Sequence, residues 1–533
     1  MAGVFSHTSL FSQPSGTPIK LVVYGDEFYA RRETEDGYTA VFDATLGLFC
    51  YAIVINGSFI SCGIPVTEPA PSEIRRHLHE SPAIVKRSRA QRKTVFSVPL
   101  SETTIMPHGN MLTFGPQNGL LEGRRISEGV VRGLTVLVEF DDVRATVEKS
   151  EYEDLLNGDN YTGHGNISSV RQYYLRVSSG FLDYSNDVVG PIRLSKRRSQ
   201  YINTLLVEEA LEKVSQLGID WSRYDCRGEG IVDAINFVYA GDTQFIGNLW
   251  PHNSYKNVRV GNLRTYYYML TSMGASPDEL RIGTFCHENG HMLCRFPDMY
   301  DYGTNDAGEG DLTPSAGIGD YCLMGSGNYN DDFGKAPSPV CAYLRHLVGW
   351  CPTVISLNQA GKFTAKQGAY DTVHIFRTSK PTEYFLIENR FKTDLDRGLS
   401  SSGLAIYHCD TSGSNEYQQN SADKHYQCAL LQADGKNDLE RNINSGDDKD
   451  LFGKVNGMAI NSKSNPSSRM WDKSESGLTV SNITAPDKAI TFETGQGNPS
   501  SIHLTPFHVL AEVPENLIPQ TLARRNRVQA TLK

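Results

Sequence analysis

The residues best equipped for chemistry lie in the stretch 283–301, GTFCHENGHMLCRFPDMYD, which contains His287-Glu288-Asn289-Gly290-His291. On a helix, positions i and i+4 project from one face about a turn apart, so two imidazoles at this spacing can share one ion. Imidazole nitrogen is a good zinc ligand, and a catalytic zinc takes three protein ligands and leaves its fourth position to water. Glu288, between the histidines, is then placed to take a proton from that water. The chemistry this predicts is peptide-bond hydrolysis. The competing reading is a pair of hydrogen-bonded surface histidines.

The rest of the chain must position these groups. At 533 residues it is long for one core, and two to four domains are expected. With 39% hydrophobic and 21% charged residues it has the composition of an ordinary globular protein. The net charge of -10 argues against nucleic acid as the main partner, since phosphate binding calls for a basic field. There is no apolar run long enough for a membrane-spanning helix, and MAGVFSHTSLFSQPSG lacks the basic and apolar regions of a signal peptide. The ten cysteines include no C-x-x-C pair, so no structural zinc ribbon is expected, and spacing does not say which thiols pair.

Five regions follow from the patterning. Residues 1–63 read as a small β module, with Asp36-Gly37 and Asn56-Gly57 as hairpin signals. Residues 64–125 read as a linker or pro-region whose basic stretch includes Arg89 and Arg92, either solvated with one short helix or a processing site. A second dibasic pair, Arg124-Arg125, closes it. Residues 126–351 hold the catalytic candidates. LTVLVEFDD at 134–142 predicts a strand buried on both faces, 169–182 and 205–217 predict helices, and 231–239 a further strand. Residues 352–495 alternate strand-like runs with polar loops and predict an antiparallel β region, and 496–533 a tail. The fold class is α+β.

The loop 225–230 with Asp233 resembles an oxygen-rich calcium loop, making Asp225, Glu229 and Asp233 candidate ligands. Its middle position is Arg227, a cation that would repel the ion, so a plain turn is the alternative.

Several separated blocks together resemble the immune inhibitor A family of secreted bacterial zinc metallopeptidases. They are VLVEFDD at 136–142, SSVRQYYLRVSSGFLD at 168–183, WSRYDCRGEGIVDAINFVYAG at 221–241, LWPHNS at 249–254, HENGH followed by FPDMYD, YCLMGSGN at 321–328, YFLIENR at 384–390 and GLAIYHCD at 403–410. YGDEFYARRETEDGYT, near the start, is similar to the family's pro-region. The resemblance spans roughly residues 18–490. It implies a zincin-type catalytic domain with a methionine-bearing turn beneath the metal, matched by Met324, together with secretion and protein or peptide substrates.

The family pattern places a glycine turn and then an aspartate six residues after the second histidine. Here Cys294 stands for the glycine and Asp298 comes one residue late. A glycine at that point lets the helix end in a left-handed conformation, which other residues resist. The chain is expected to turn at Pro297 instead, with Asp298 as third zinc ligand, Asp301 next in line, and Asp306 and Glu309 still open. Asp298 as the cap of a turn is the alternative. Cys286 and Cys294 are expected to be packing residues. His252, His408 and Tyr329 are further candidates for the cleft, Tyr329 as a donor to the oxyanion. Two other functions stay open: a binding or adhesion protein on a degenerate peptidase scaffold, and a latent zymogen covered by residues 1 to about 125.

Overall fold

The computed structural model describes residues 3–96, 119–202, 205–303, 314–453 and 458–495. The chain begins with two three-stranded antiparallel sheets. The first is β1 (Val4–Gln13), β2 (Gly16–Gly25) and β3 (Ala30–Glu33); the second is β4 (Ala40–Asp43), β5 (Leu48–Ile55) and β6 (Ser58–Pro65). Asn56 and Gly57 join β5 to β6 with positive φ at both positions, the type I′ geometry that Asn-Gly favours in a two-residue hairpin.

From Pro82 on, the basic stretch forms the expected short helix, α1 (Pro82–Phe96), and two of its arginines are tied down. Arg89 is buried, with its guanidinium 2.7 Å from Asp26 Oδ2. Arg92 donates to Glu27 O at 3.2 Å and to Asn248 Oδ1 at 3.1 Å, which fixes α1 between the N-terminal sheets and the body of the molecule.

The central sheet has the order β10-β13-β9-β7-β8. It is built from β7 (Gly129–Glu139), β8 (Leu182–Arg193), β9 (Ile235–Tyr239), β10 (His252–Tyr255) and β13 (Tyr267–Ser272), with a two-residue ribbon, β11 (Arg259–Val260) and β12 (Leu263–Arg264), between the last two. Strands β8, β7, β9 and β13 run parallel, and β10 pairs antiparallel with β13 at the edge. The unbroken apolar run of β7 is buried on both faces. Leu134, Val136 and Val138 enter one core with α4 (Leu206–Ser215), while Val131 and Leu137 enter another with α2 (Lys149–Asn157) and α3 (Val170–Val177). Helix α5 (Gly283–Cys294) carries the histidines and lies against β13 and β10.

After α5 come a one-turn element α6 (Asn330–Gly334), whose residues 331–333 take left-handed φ, and α7 (Ala342–Leu347). The remaining strands are β14 (Thr353–Ser356), β15 (Gly361–Lys366), β16 (Thr372–Arg377), β17 (Glu383–Arg390), β18 (Gly403–Asp410), β19 (Cys428–Leu430), β20 (Val480–Ser481) and β21 (Ala489–Thr494). They form a five-stranded sheet, β14-β16-β17-β18-β19, and a three-stranded one, β15-β21-β20. All pairings are antiparallel except β14 with β16. The class is α+β, with several sheets and short helices. One core runs from Leu293 and Met324 through Trp350 to Leu386 and Tyr407, so the site helix and the C-terminal sheet share their packing.

Candidate metal centre

Helix α5 is buried almost throughout, and its buried Asn289 is satisfied by Asn236 Oδ1 at 3.1 Å and by the Tyr184 hydroxyl at 2.8 Å. Gly290 allows it to approach the chain below: a Cβ there would lie 2.8 Å from Met324 Sδ. Met324 thus floors the helix under the histidines, and its carbonyl accepts from Met299 N at 2.7 Å.

Both imidazoles are oriented by backbone carbonyls. His287 Nδ1 lies 2.8 Å from Leu323 O, and His291 Nδ1 lies 2.6 Å from Phe296 O. A carbonyl only accepts, so each Nδ1 carries the proton and each Nε2 presents its lone pair. The two Nε2 atoms are 3.1 Å apart, and Asp298 Oδ1 lies 3.1 Å from that of His287 and 3.4 Å from that of His291. Ligand distances of about 2.0–2.1 Å in a tetrahedron put donor atoms roughly 3.3–3.4 Å apart, so the three atoms match one face of a zinc-sized site. Asp298 Oδ2 accepts from the Tyr302 hydroxyl, which turns Oδ1 towards the histidines. Glu416 Oε1 accepts from Asp298 N at 3.2 Å.

The helix ends otherwise than expected. The reversal comes at Arg295, with φ 56° and ψ 33°, and not at Pro297. A left-handed arginine is strained, and tertiary contacts hold it. Its guanidinium donates to His291 O at 3.0 Å and Glu122 O at 2.9 Å, and its Cζ lies 4.3 Å from the centroid of the Tyr267 ring. The turn brings Asp298 into line despite the late position of the aspartate.

Glu288 is fully buried between the two histidines, and burial raises its carboxyl above the ordinary carboxylate value. The Tyr329 hydroxyl is buried within electrostatic reach of Glu288. The other candidates lie elsewhere. Asp301 accepts from Gly303 N at 2.7 Å and from Gln418 Nε2 at 2.6 Å; Asp306 and Glu309 fall outside the described residues. Cys286 and Cys294 are buried thiols without a bridge, and burial pushes both up. His252 lies between Trp250 O and the Tyr268 hydroxyl, and His408 faces Glu383 at 2.8 Å in the C-terminal sheet.

In the 225–233 loop, the three residues expected as calcium ligands are held by the chain's own groups. Arg124 donates to Glu229, and its Nη2 lies 2.5 Å from Asp233 Oδ1. Asp225 accepts from the N–H groups of Glu229 at 2.9 Å and Gly230 at 2.8 Å, and Asp233 Oδ2 from Cys226 N at 2.5 Å. A guanidinium supplies the charge a calcium ion would bring. The same contacts draw Arg124 out of the dibasic pair: its side chain is 7% exposed.

The N-terminal module packs over the triad. Asp26 accepts from Phe28 N at 2.9 Å and Tyr29 N at 3.0 Å in a tight turn, with Glu27 buried inside it. Phe28 meets the Tyr302 ring edge-on at 5.9 Å, Arg89 lies over the same ring, and Gly3 sits so close to Tyr300 that a Cβ would approach its ring to 2.7 Å. Burial pushes Glu27 well up, with Asp26 and Asp298 adding to it. His287, Glu288 and Asp298 are 0% exposed and His291 3%.

Tyr302, Glu416 and Arg295 escape a reading of the sequence alone. Only Tyr302 had a local signal, four residues after Asp298. The chain matches no protein-family model, and no curated protein matches it.

Proposed function

We propose that this chain is a zinc-dependent endopeptidase acting on protein or peptide substrates, kept latent by its own N-terminal module. The observation that carries the reading is the convergence of two imidazole nitrogens and one carboxylate oxygen on a single point, beside the buried carboxylate of Glu288. Zinc, rather than another divalent ion, is favoured by a mixed nitrogen and oxygen donor set with near-tetrahedral spacing. A zincin-type catalytic domain is supported by the mixed sheet with an antiparallel edge strand next to α5, by Met324 beneath Gly290, and by the motif order that resembles the immune inhibitor A family. Secretion follows from the same resemblance.

When bound, zinc would polarise the scissile carbonyl and bring the pKa of a water down towards neutrality. His287, His291 and Asp298 would hold it, each fixed in orientation by a second contact. Glu288 accepts the water's proton and returns it to the leaving amine. Its raised proton affinity suits a group that must both take and give near neutral pH. Latency is favoured by one specific observation: Phe28, Arg89 and Gly3 pack on Tyr302 and Tyr300, beside Asp298, where a substrate would have to pass.

The test is casein hydrolysis by the full chain and by the same chain cut between α1 and β7. The expected result is weak cleavage before the cut, strong cleavage after it, and loss of both with a zinc chelator. Hydrolysis that a chelator leaves intact would overturn the zinc reading, and an uncut chain as active as the cut one would overturn latency.

A further inference from the structure

Strand β19 is the edge of the C-terminal sheet, and it places Cys428 directly opposite Cys409 of β18. The neighbouring pair exchanges the ladder bond, Asp410 N donating to Gln427 O at 2.9 Å, so Cys409 and Cys428 occupy a non-hydrogen-bonded site. Side chains approach most closely at such sites, where Cα atoms lie about 4.5 Å apart, within the range a disulfide spans. The polar groups of Cys428 point away from β18 accordingly: the Asn415 side chain accepts from Cys428 N and donates to Cys428 O, both at 2.9 Å. The two sulfurs are 3.9 Å apart and fully buried. Closing that gap to a bond takes about 2 Å, within reach of small rotations about χ1.

We propose that Cys409 and Cys428 form a disulfide that closes the loop 410–427 and thereby stiffens the support of Asp298. That loop buttresses the segment after α5. Glu416 Oε1 accepts from Asp298 N, Glu416 O accepts from Tyr302 N at 3.1 Å, Gln418 holds Asp301, and Asn415 donates to Met299 O at 3.2 Å. The oxidant is a disulfide of the glutathione class. Each cysteine gives up one proton and one electron, a sulfur–sulfur bond forms between them, and the oxidant's own bond breaks to release two thiols. The reaction takes place while the chain folds or when β19, three residues long at a sheet edge, opens locally. Cys341 lies beside Cys428 and Cys322 beside Cys341, but their thiols offer rival pairings without the opposed strands. The bond is independent of the peptidase reading, because mapping it measures no activity.

The experiment equilibrates the full chain in a mixture of oxidised and reduced glutathione, blocks free thiols, digests without reduction and identifies linked peptides by mass. The expected result is one linked pair joining the Cys409 and Cys428 peptides, lighter by about 2 Da than the sum of the two thiol forms. The oxidised chain should also melt roughly 2–6 °C higher, a gain reversed by reductant and absent from Cys428→Ser. Blocked thiols at both positions, or Cys428 linked to Cys341, would overturn the proposal. Because the mapping is done on the wild-type chain, a serine variant that fails to fold leaves the test intact.

Discussion

The end of α5 and the 225–233 loop both gather negative or lone-pair atoms, and they differ in the groups that meet there. At the end of α5, two imidazole nitrogens and Asp298 Oδ1 face one another at 3.1–3.4 Å. In the 225–233 loop, Glu229 and Asp233 close on the guanidinium of Arg124. On the proposed reading the first would take an ion from outside, whereas the second has a guanidinium built in. A cluster of acids is therefore not a metal site until the surrounding charges are counted.

The largest effect that tests this contrast is chemical. Glu288→Gln keeps the shape of the pocket while removing the proton acceptor, so hydrolysis by the N-terminally cut chain should fall at least about 10³-fold with its metal retained. A variant with near wild-type turnover would remove Glu288 from the mechanism. Next comes the loop. Arg124→Ala leaves Asp233 buried without its partner, which should cost about 3–5 kcal/mol in denaturant unfolding. A loss below about 1 kcal/mol would mean that the guanidinium is not the loop's cation.

The same contrast predicts how the two places respond to metal removal. A calcium-selective chelator should leave the thermal midpoint of the wild type unchanged, whereas a zinc chelator should lower it by several degrees. A fall with the calcium chelator would reopen the loop as a site.

The smallest effect concerns the cover over the triad. His7 of β1 stacks on Phe333 at 3.6 Å, and burial, with Arg281 nearby, lowers its pKa to about 4. Its unfolded value is about 6.5, so the folded state binds the proton less well. The stability it contributes is full above pH 6.5 and is lost as the pH falls towards 4, by an amount of order 1–2 kcal/mol after screening. Protease sensitivity of the N-terminal sheets should thus rise on acidification in the wild type and rise less in His7→Gln. Equal pH dependence in both would assign the effect to other groups.

What could be read from the sequence was local. The i, i+4 spacing of His287 and His291 fixes their relation on any helix, and the apolar run of β7 needs no partner to be recognised as doubly buried. Asn56-Gly57 carries its own turn. What could not be read depends on distant residues. Arg295 takes a left-handed conformation because Glu122 and Tyr267 hold its side chain, so the missing glycine misleads about where the chain turns. Arg124 reaches Asp233 across the whole of β7, α2, α3, β8 and α4. Arg89 reads as solvated among other basic residues until Asp26 is brought against it. The irregular segment 294–298, which suggested a degenerate scaffold, turns out to deliver Asp298 to the histidines.

The most direct test of the central claim is zinc content by elemental analysis of the purified full chain and of Asp298→Ala, prepared side by side. The account predicts one zinc per wild-type chain, and at least about 100-fold weaker binding in the variant, which loses one of three ligands. A wild-type chain that takes up no zinc from a zinc-supplemented buffer, or a variant that binds it as tightly as the wild type, would contradict it.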